Sequence, residues 1–413
     1  MHVALVSEHA SPLAAIGAVD AGGQNVHVAE LASGLARLGH DVVVYTRRDD
    51  ADLPETVRTD DGYDVVHLAA GPARTVPKDD LWPLMPRFSD ALRWHLQSRR
   101  ADVVHAHFWM SGWAATRATR GLSIPTFVTF HALGSVKRRH QGSADTSPPE
   151  RVDVELAVAT RATGVVATCR DEVQELSAMG VDLATVDVVP CGVDVRHFTT
   201  TAAPLDHPPR REPYRIVSVG RLVPRKGYAT VVEALVALPG VELVVAGGRS
   251  EVGVVEAEQL RLEALAEELG VRDRVHFIGQ VGHFLMPALL STADVVVCTP
   301  WYEPFGLVPL EAMACGVPVV ASAVGGMLDS VADGETGLLV PPQDPAALAD
   351  ALRELLADPV RREAYGRAGI RRARSRYSWD AVATATAEVY QEALVAGLAR
   401  KHRASRLPAL GPA

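Results

Sequence analysis

The segment Trp301-Tyr-Glu-Pro-Phe-Gly-Leu-Val-Pro-Leu-Glu-Ala-Met-Ala-Cys-Gly316 carries two carboxylates, Glu303 and Glu311. A helix is expected to open near Gly306, with Glu303 in the turn before it and Glu311 in its second turn. At such a start the N–H groups of Phe305, Gly306 and Leu307 have no intrahelical acceptor and can face a ligand. Carboxylates accept hydrogen bonds and suit paired hydroxyls, as on a sugar or a ribose. The plainer alternative is a helix cap at Glu303 and a surface charge at Glu311. A second segment, Gly220-Arg221-Leu-Val-Pro-Arg-Lys226-Gly227, follows an apolar run and carries two cations. Arg binds phosphate through a planar fork, and Lys adds a compact charge. Fixed cations of this kind stabilise a departing diphosphate; the alternative is an exposed basic loop. A third feature is the pair Gly22-Gly23 at the start of a helix, where backbone can approach a ligand and the helix dipole favours anions. It is not G-x-G-x-x-G, so the dinucleotide fingerprint is absent there.

His131 ends a strand in Thr129-Phe130-His131-Ala132, where a structural and a substrate-facing role are both open. His105 and His107 lie on one face of a strand end without a third ligand at a recognisable spacing, so no metal site is expected. Arg138-Arg139-His140 reads as a solvated loop, with contact to a polar acceptor left open.

These residues need a frame to hold them. Apolar β-type runs occur at His2–Ser7, Asp41–Thr46, Ala101–Ala106, Thr126–Phe130, Gly164–Thr168 and Val186–Pro190. Between the first two, Val28, Leu31, Leu35 and Leu38 recur at helical spacing, predicting a helix from about Gln24 to Leu38. This β-α-β alternation is the unit of a parallel sheet. Residues 199–213 break the pattern with Pro, Thr and charge and are read as an interdomain linker. Beyond it the alternation restarts with strands at Tyr214–Val219, Val241–Ala246, Arg274–Ile278, Asp294–Cys298 and Pro318–Ala321. The acidic stretch Glu256–Leu269 predicts a solvated helix, and a last helix runs from about Trp379 to Ala399. Continuous runs such as DVVVC mark strands covered on both faces. The expectation is an α/β chain of two Rossmann-like doubly wound domains, 1–200 and 206–378, with the helix from about 379 packing back on the first. Ligands of such sheets sit beyond the carboxyl ends of the strands, and a cleft between facing domains is the default site.

Composition agrees with that frame. The chain has 413 residues, 48% hydrophobic and 22% charged, which suits two globular domains. A net charge of −9 argues against a general nucleic-acid binder. Cys169, Cys191, Cys298 and Cys315 form no C-x-x-C pair and read as reduced thiols of a cytoplasmic protein. No apolar run approaches the ~20 residues that span a bilayer, and the amino terminus carries no basic leader, so no membrane segment or signal peptide is expected.

The Glu303–Gly316 and Gly220–Gly227 segments resemble the signatures of the retaining glycosyltransferases of family 4, which adopt the GT-B fold. The resemblance implies that Glu303 contacts a donor sugar held also by the backbone of Phe305, Gly306 and Leu307. It implies that Glu311 binds ribose hydroxyls, and that Arg221, Lys226 and the Gly22-Gly23 turn hold donor phosphates. It places His131 beside the donor sugar. His9-Ala-Ser-Pro-Leu13, Asp20-Ala-Gly-Gly-Gln-Asn25, Val76-Pro-Lys78-Asp-Asp80 and His105-Ala-His107-Phe-Trp109 narrow the match. They resemble a subgroup containing the N-acetylglucosaminyltransferases of mycothiol synthesis and the sucrose-phosphate synthases. That resemblance assigns His9, Asn25, Lys78, Arg151 and the position of Phe108 to an acceptor pocket. Phe108 and Ala132 stand where the mycothiol enzyme has Tyr and Thr, whose hydroxyls touch the acceptor phosphate. An acceptor other than inositol phosphate is therefore expected in the same pocket.

The function expected is transfer of a hexosyl unit from a nucleotide-diphosphate sugar, UDP favoured, to a small polar acceptor, with no cofactor and no metal. Retention, assisted by the leaving phosphate, follows from the resemblance. A GT-B epimerase or phosphorylase, or a non-catalytic nucleotide-sugar-binding protein, is the rival reading; an oxidoreductase is more remote. A homodimer is left open.

Overall fold

The computed structural model describes residues 1–14, 23–200, 208–248 and 256–406, with side chains described as far as 396 except at Ala144. The chain divides into two units. The first comprises Met1–Thr168, Val173–Val189 and the chain from Asp380 onward; the second comprises Cys169–Glu172 and Pro190–Trp379.

The first unit is built on eight strands: β1 (His2–Val6), β2 (Asp41–Arg47), β3 (Thr56–Arg58), β4 (Asp64–Leu68), β5 (Val103–His107), β6 (Thr126–Thr129), β7 (Gly164–Ala167) and β8 (Val186–Val188). Their spatial order is β3-β4-β2-β1-β5-β6-β7-β8. Every pair is parallel except β3 with β4. The order reverses between β1 and β5, where Val3 lies opposite both Val42 and Val103. A reversal point of this kind opens a crevice at the strand carboxyl ends. Successive residues of β1, β2 and β5 are buried, so both faces of the sheet are covered there, as their runs of Val, Ala and Leu imply. The helix Gly23–Arg37 buries Val28, Leu31 and Leu35, as their spacing requires, but it ends before Leu38, which is exposed rather than part of the stripe.

The second unit holds β9 (Tyr214–Val219), β10 (Val241–Ala246), β11 (Val275–Phe277), β12 (Val295–Cys298), β13 (Val319–Ser322) and β14 (Gly337–Val340), in the order β11-β10-β9-β12-β13-β14. All neighbours are parallel, and this is the doubly wound order whose reversal falls between β9 and β12. Arg215 and Glu242 sit opposite each other on β9 and β10, both buried, with Arg215 Nε donating to Glu242 Oε1 at 2.6 Å. Removing one partner would strand the other's charge inside the protein.

Several expectations change. Residues 190–200, read from sequence as the end of the first domain, belong to the second unit. The cause is apolar: Val193 and Phe198 bury with Val217, Val296 and Leu310. Part of the linker read at 199–213 (residues 201–207) lies outside the described residues. Arg138-Arg139-His140 is no loop but lies in the helix Gly134–Gln141, where Arg139 makes two 2.7 Å hydrogen bonds to Glu175. The final helix runs Trp379–Arg406, longer than its sequence pattern. Among the described residues no helix is long and apolar enough to cross a membrane.

Candidate active site

In the second unit, the loops that leave β9 and β12 at the reversal point carry the cations and carboxylates. They are latched together. Thr299 Oγ1 donates to Gly227 O at 3.0 Å, and the Trp301 N–H donates to Arg225 O at 2.8 Å. Gly227 has φ +73°, and a Cβ there would stand 1.8 Å from Thr299 O, so glycine alone fits this approach. The latch brings Lys226 Nζ to 2.5 Å from Glu303 Oε2, with both side chains largely buried. Burial pushes the Glu303 carboxyl up, but the Lys226 ammonium beside it outweighs this and holds it below the ordinary carboxylate range. The Arg225 guanidinium lies 5.3 Å above the Tyr302 ring. Arg221 is exposed, and its guanidinium makes no hydrogen bond or ion pair with the described residues.

Glu303 also accepts a hydrogen bond from the Phe305 N–H. This corrects the expectation of three open N–H groups at the helix start: Glu303 takes that of Phe305, which precedes the N-cap Gly306. Gly306, at φ +70°, turns the chain into the helix Leu307–Ala314, which carries Glu311. Burial pushes the Glu311 carboxyl up to about 7. The turn rests on a Gly325–Gly326 pair that sequence reasoning did not single out. The Gly326 N–H donates to Glu303 O at 2.8 Å, and a Cβ at Gly325 would lie 2.2 Å from the same oxygen. The signal was available as adjacent glycines just beyond an apolar strand.

In the first unit, the chain leaves β1 through Ser7, Glu8 and His9, leaves β5 at Phe108, and leaves β6 toward His131. Phe108 has φ +82° and ψ +156°, a region nearly reserved for glycine that costs ~1–3 kcal/mol. Its N–H donates to Thr129 O at 2.8 Å, and the Gly112 N–H donates to Phe108 O at 2.9 Å. Three basic candidates converge on its buried ring. The His9 ring meets it edge-on at 5.0 Å, Lys78 Nζ lies 5.6 Å from its centroid, and the Arg151 guanidinium carbon lies 5.1 Å from it. Arg151 is 3% exposed and already committed inside the protein. Its Nε donates to Glu155 Oε1 at 2.8 Å, its Nη1 to Ser147 Oγ at 3.2 Å, and its Nη2 to Ala132 O. Asn25 Nδ2 donates to Ser11 O at 2.9 Å, fixing the loop after β1. His9 Nδ1 lies 2.7 Å from Glu8 Oε1.

Four imidazoles fill the floor beside these residues. His131, at φ +62°, places Nε2 3.0 Å from His107 Nδ1, and the His27 ring lies 4.9 Å from its own. His105 Nδ1 lies 2.6 Å from the Tyr390 hydroxyl, and its Nε2 lies 2.9 Å from Thr129 Oγ1. Thr129 donates its only hydroxyl proton to Val166 O at 2.8 Å, so His105 Nε2 must carry the proton and Nδ1 must accept. Burial pushes His27 down to about 4 and His105 down to about 3. It drives His107 and His131 well below the ordinary imidazole range, with neighbouring imidazoles adding to the effect. All four are neutral at pH 7. Among the described residues no group of His, Cys, Asp and Glu is arranged to hold a metal ion.

The candidates thus fall into two clusters. Gly23, His9, Asn25, Lys78, Phe108, His131 and Arg151 belong to the first unit; Arg221, Lys226, Glu303, Phe305, Gly306, Leu307 and Glu311 belong to the second. Gly22 lies outside the described residues.

Comparison with known proteins places this geometry. A family model described as Glycosyltransferase Family 4 matches residues 21–197, and one described as Glycosyl transferases group 1 matches residues 202–372. The D-inositol 3-phosphate glycosyltransferase of Xylanimonas cellulosilytica is 39% identical over 412 residues, covering 95% of this chain and 96% of the relative. The protein of the same name from Kineococcus radiotolerans is 39% identical over 420 residues, covering 95% of each chain. Among solved structures, the sucrose-phosphate synthase of Thermosynechococcus elongatus superposes with a TM-score of 0.83 at 34% identity, covering 95% of this chain and 99% of its own. The Anabaena protein HepE, solved with UDP and glucose, shares the fold at a TM-score of 0.72 and 21% identity, covering 95% of this chain and 99% of its own. Doubly wound units of this order, the matched family models and these relatives together show that the chain belongs to glycosyltransferase family 4, with the GT-B fold, and is an enzyme that transfers a sugar from a nucleotide-sugar donor to an acceptor.

Proposed function

We propose that the second unit holds a UDP-sugar and the first unit holds a small acceptor bearing both hydroxyls and an anionic group. The observation that carries the donor half is the pairing of Lys226 with Glu303 at 2.5 Å, on two loops that end at the reversal point of the second sheet. Lys226 and Arg221 supply positive charge where a diphosphate departs, so the chemistry needs no resident metal for that purpose. Glu311 accepts from the ribose hydroxyls, and Glu303 accepts from a sugar hydroxyl. As the bond between the anomeric carbon and the phosphate oxygen breaks, a bond to the acceptor oxygen forms on the same face. The acceptor proton passes to the leaving phosphate, and configuration is retained. His131, neutral and held by His107, stands beside the sugar.

The acceptor half is supported by the convergence of His9, Lys78 and Arg151 on Phe108. Arg151 is already ion-paired with Glu155, so Lys78 supplies the cation there, and that charge suits an anionic polyol. Phe108 and Ala132 offer no side-chain hydroxyl to a phosphate, which favours a relative of inositol phosphate over inositol phosphate itself. Four free thiols fit a reducing, cytoplasmic compartment. The test is a panel of nucleotide sugars with polyol phosphates, D-inositol 3-phosphate among them, monitored by released nucleoside diphosphate and by the anomeric configuration of the product. UDP release that depends on an anionic polyol, with retention, is the expected result. Release of UDP without any acceptor dependence, or an epimerised donor, would contradict the reading.

A further inference from the structure

Glu8 is a buried carboxylate outside every role assigned so far. It follows β1, is 1% exposed, and among the described residues its carboxylate has two side-chain partners, His9 and Ser111. Ser111, itself fully buried in the helix Trp109–Ala118, donates its hydroxyl proton to Glu8 Oε2 and accepts the Glu8 N–H at 3.0 Å. The second carboxylate oxygen lies 2.7 Å from His9 Nδ1. Desolvating a carboxylate is costly, and leaving it with one hydroxyl and one imidazole is unusual unless that imidazole must be held. An ionised carboxylate only accepts, so His9 Nδ1 must carry a proton. In the neutral ring, Nε2 then presents a lone pair. The His9 ring edge meets Phe108, the same ring that Lys78 and Arg151 overlie.

We propose that Glu8, braced by Ser111, is a positioning residue that locks His9 in its Nδ1–H tautomer, so that His9 Nε2 accepts a hydrogen bond from an acceptor hydroxyl. The logic is that of an orienting carboxylate behind a functional imidazole. It rests on the reading of His9 as an acceptor-binding residue. Lys78 would meet the anionic end of the acceptor and His9 a hydroxyl, so the pair would select a compound carrying both.

The test has a spectroscopic arm and a kinetic arm, both on the full chain. Nitrogen-15 shifts of the His9 ring in the wild-type protein should show a protonated Nδ1 and a bare Nε2 at neutral pH. Glu8→Met should release the ring to a mixture of tautomers, and Glu8→Gln, whose amide oxygen still accepts from Nδ1, should restore it. In the kinetic arm, Glu8→Met should raise the KM for the acceptor that turns over in the panel, D-inositol 3-phosphate being tried first, by about tenfold. Its kcat should change by less than about twofold, and Glu8→Gln should recover most of the loss. His9→Asn should match Glu8→Met, and the double variant should be no worse than either. A wild-type His9 protonated at Nε2, whether alone or together with Nδ1, would overturn the proposal without any variant. If His9→Asn raises the acceptor KM and Glu8→Met does not, the positioning role is wrong while the acceptor reading of His9 survives. If neither variant moves it, that reading of His9 fails and the proposal with it.

Discussion

Lys226 and Glu303 pair with each other, so a donor phosphate that engages Lys226 as proposed would exchange one charge-assisted contact for another. Lys226→Ala removes the cation proposed for the departing diphosphate and is expected to lower kcat/KM by ~100- to 1,000-fold. Steady-state release of nucleoside diphosphate checks this, and a loss below about threefold would remove Lys226 from the mechanism. Glu311 makes a pH prediction. Its carboxyl sits at about 7 through burial, and ribose hydroxyls favour the ionised form. UDP affinity should therefore rise as pH increases from about 6 to about 8, by up to ~10-fold per pH unit below the transition, and Glu311→Gln should flatten the profile. The same raised carboxyl acts oppositely on stability, because the folded state holds this proton more tightly than the unfolded chain. That contribution is present below 4.5 and is lost as pH rises toward 7. Residue types and spacing pointed to Arg221, Lys226, Glu303 and Glu311 because their chemistry is local in sequence. Glu8 was invisible for the opposite reason: nothing in Ser7-Glu8-His9 says that Ser111, 103 positions away, closes over the carboxylate.

At the scale of elements, both clusters sit where a sheet reverses its strand order, and tight backbone turns aim the side chains. Gly325→Ala would place a Cβ 2.2 Å from Glu303 O at φ +50°. The strain alone costs ~1–3 kcal/mol, and the clash must push the Glu303 turn away. Weaker UDP binding together with a lower melting temperature of the second unit is the expected outcome; unchanged binding would show that the turn is not held by this pair. The alternation of apolar strands with helical stripes made the parallel sheets legible. Short strands such as Thr56–Arg58 and Gly337–Val340 were not, because three or four residues cannot show a period. Glycines at Gly220–Gly227 drew notice beside charged residues, whereas Gly325–Gly326 lay among apolar ones. The positive φ of Phe108 had no sequence signal at all, since only tertiary packing holds a phenylalanine there.

For the molecule as a whole, the chain from Asp380 onward returns to the first unit, where Tyr390 meets His105. Truncation after Ser378 would remove that hydroxyl and open the floor of the histidine cluster, so the first unit should lose its cooperative melting transition. Acid should act on the same unit. Buried histidines bind fewer protons when folded, so stability falls as pH drops from 6.5 toward 4 for His27 and toward 3 for His105. Each contributes ~1.4 kcal/mol per pH unit in that window. Calorimetry should show the first unit's transition moving down between pH 7 and about 5, and equal transitions at both values would contradict neutral, buried imidazoles. This cluster was only half legible: His105, His107 and His131 stood out near strand ends, but His27 was one residue among a helical stripe. The second unit is proposed to grip a nucleotide sugar through Glu311, Glu303 and Lys226. Calorimetric titration of UDP into the wild-type protein, Glu311→Ala and Lys226→Ala tests that grip. Saturable binding by the wild type, weakened at least about tenfold in each variant, is the predicted result; variants that bind UDP as the wild type does would contradict it.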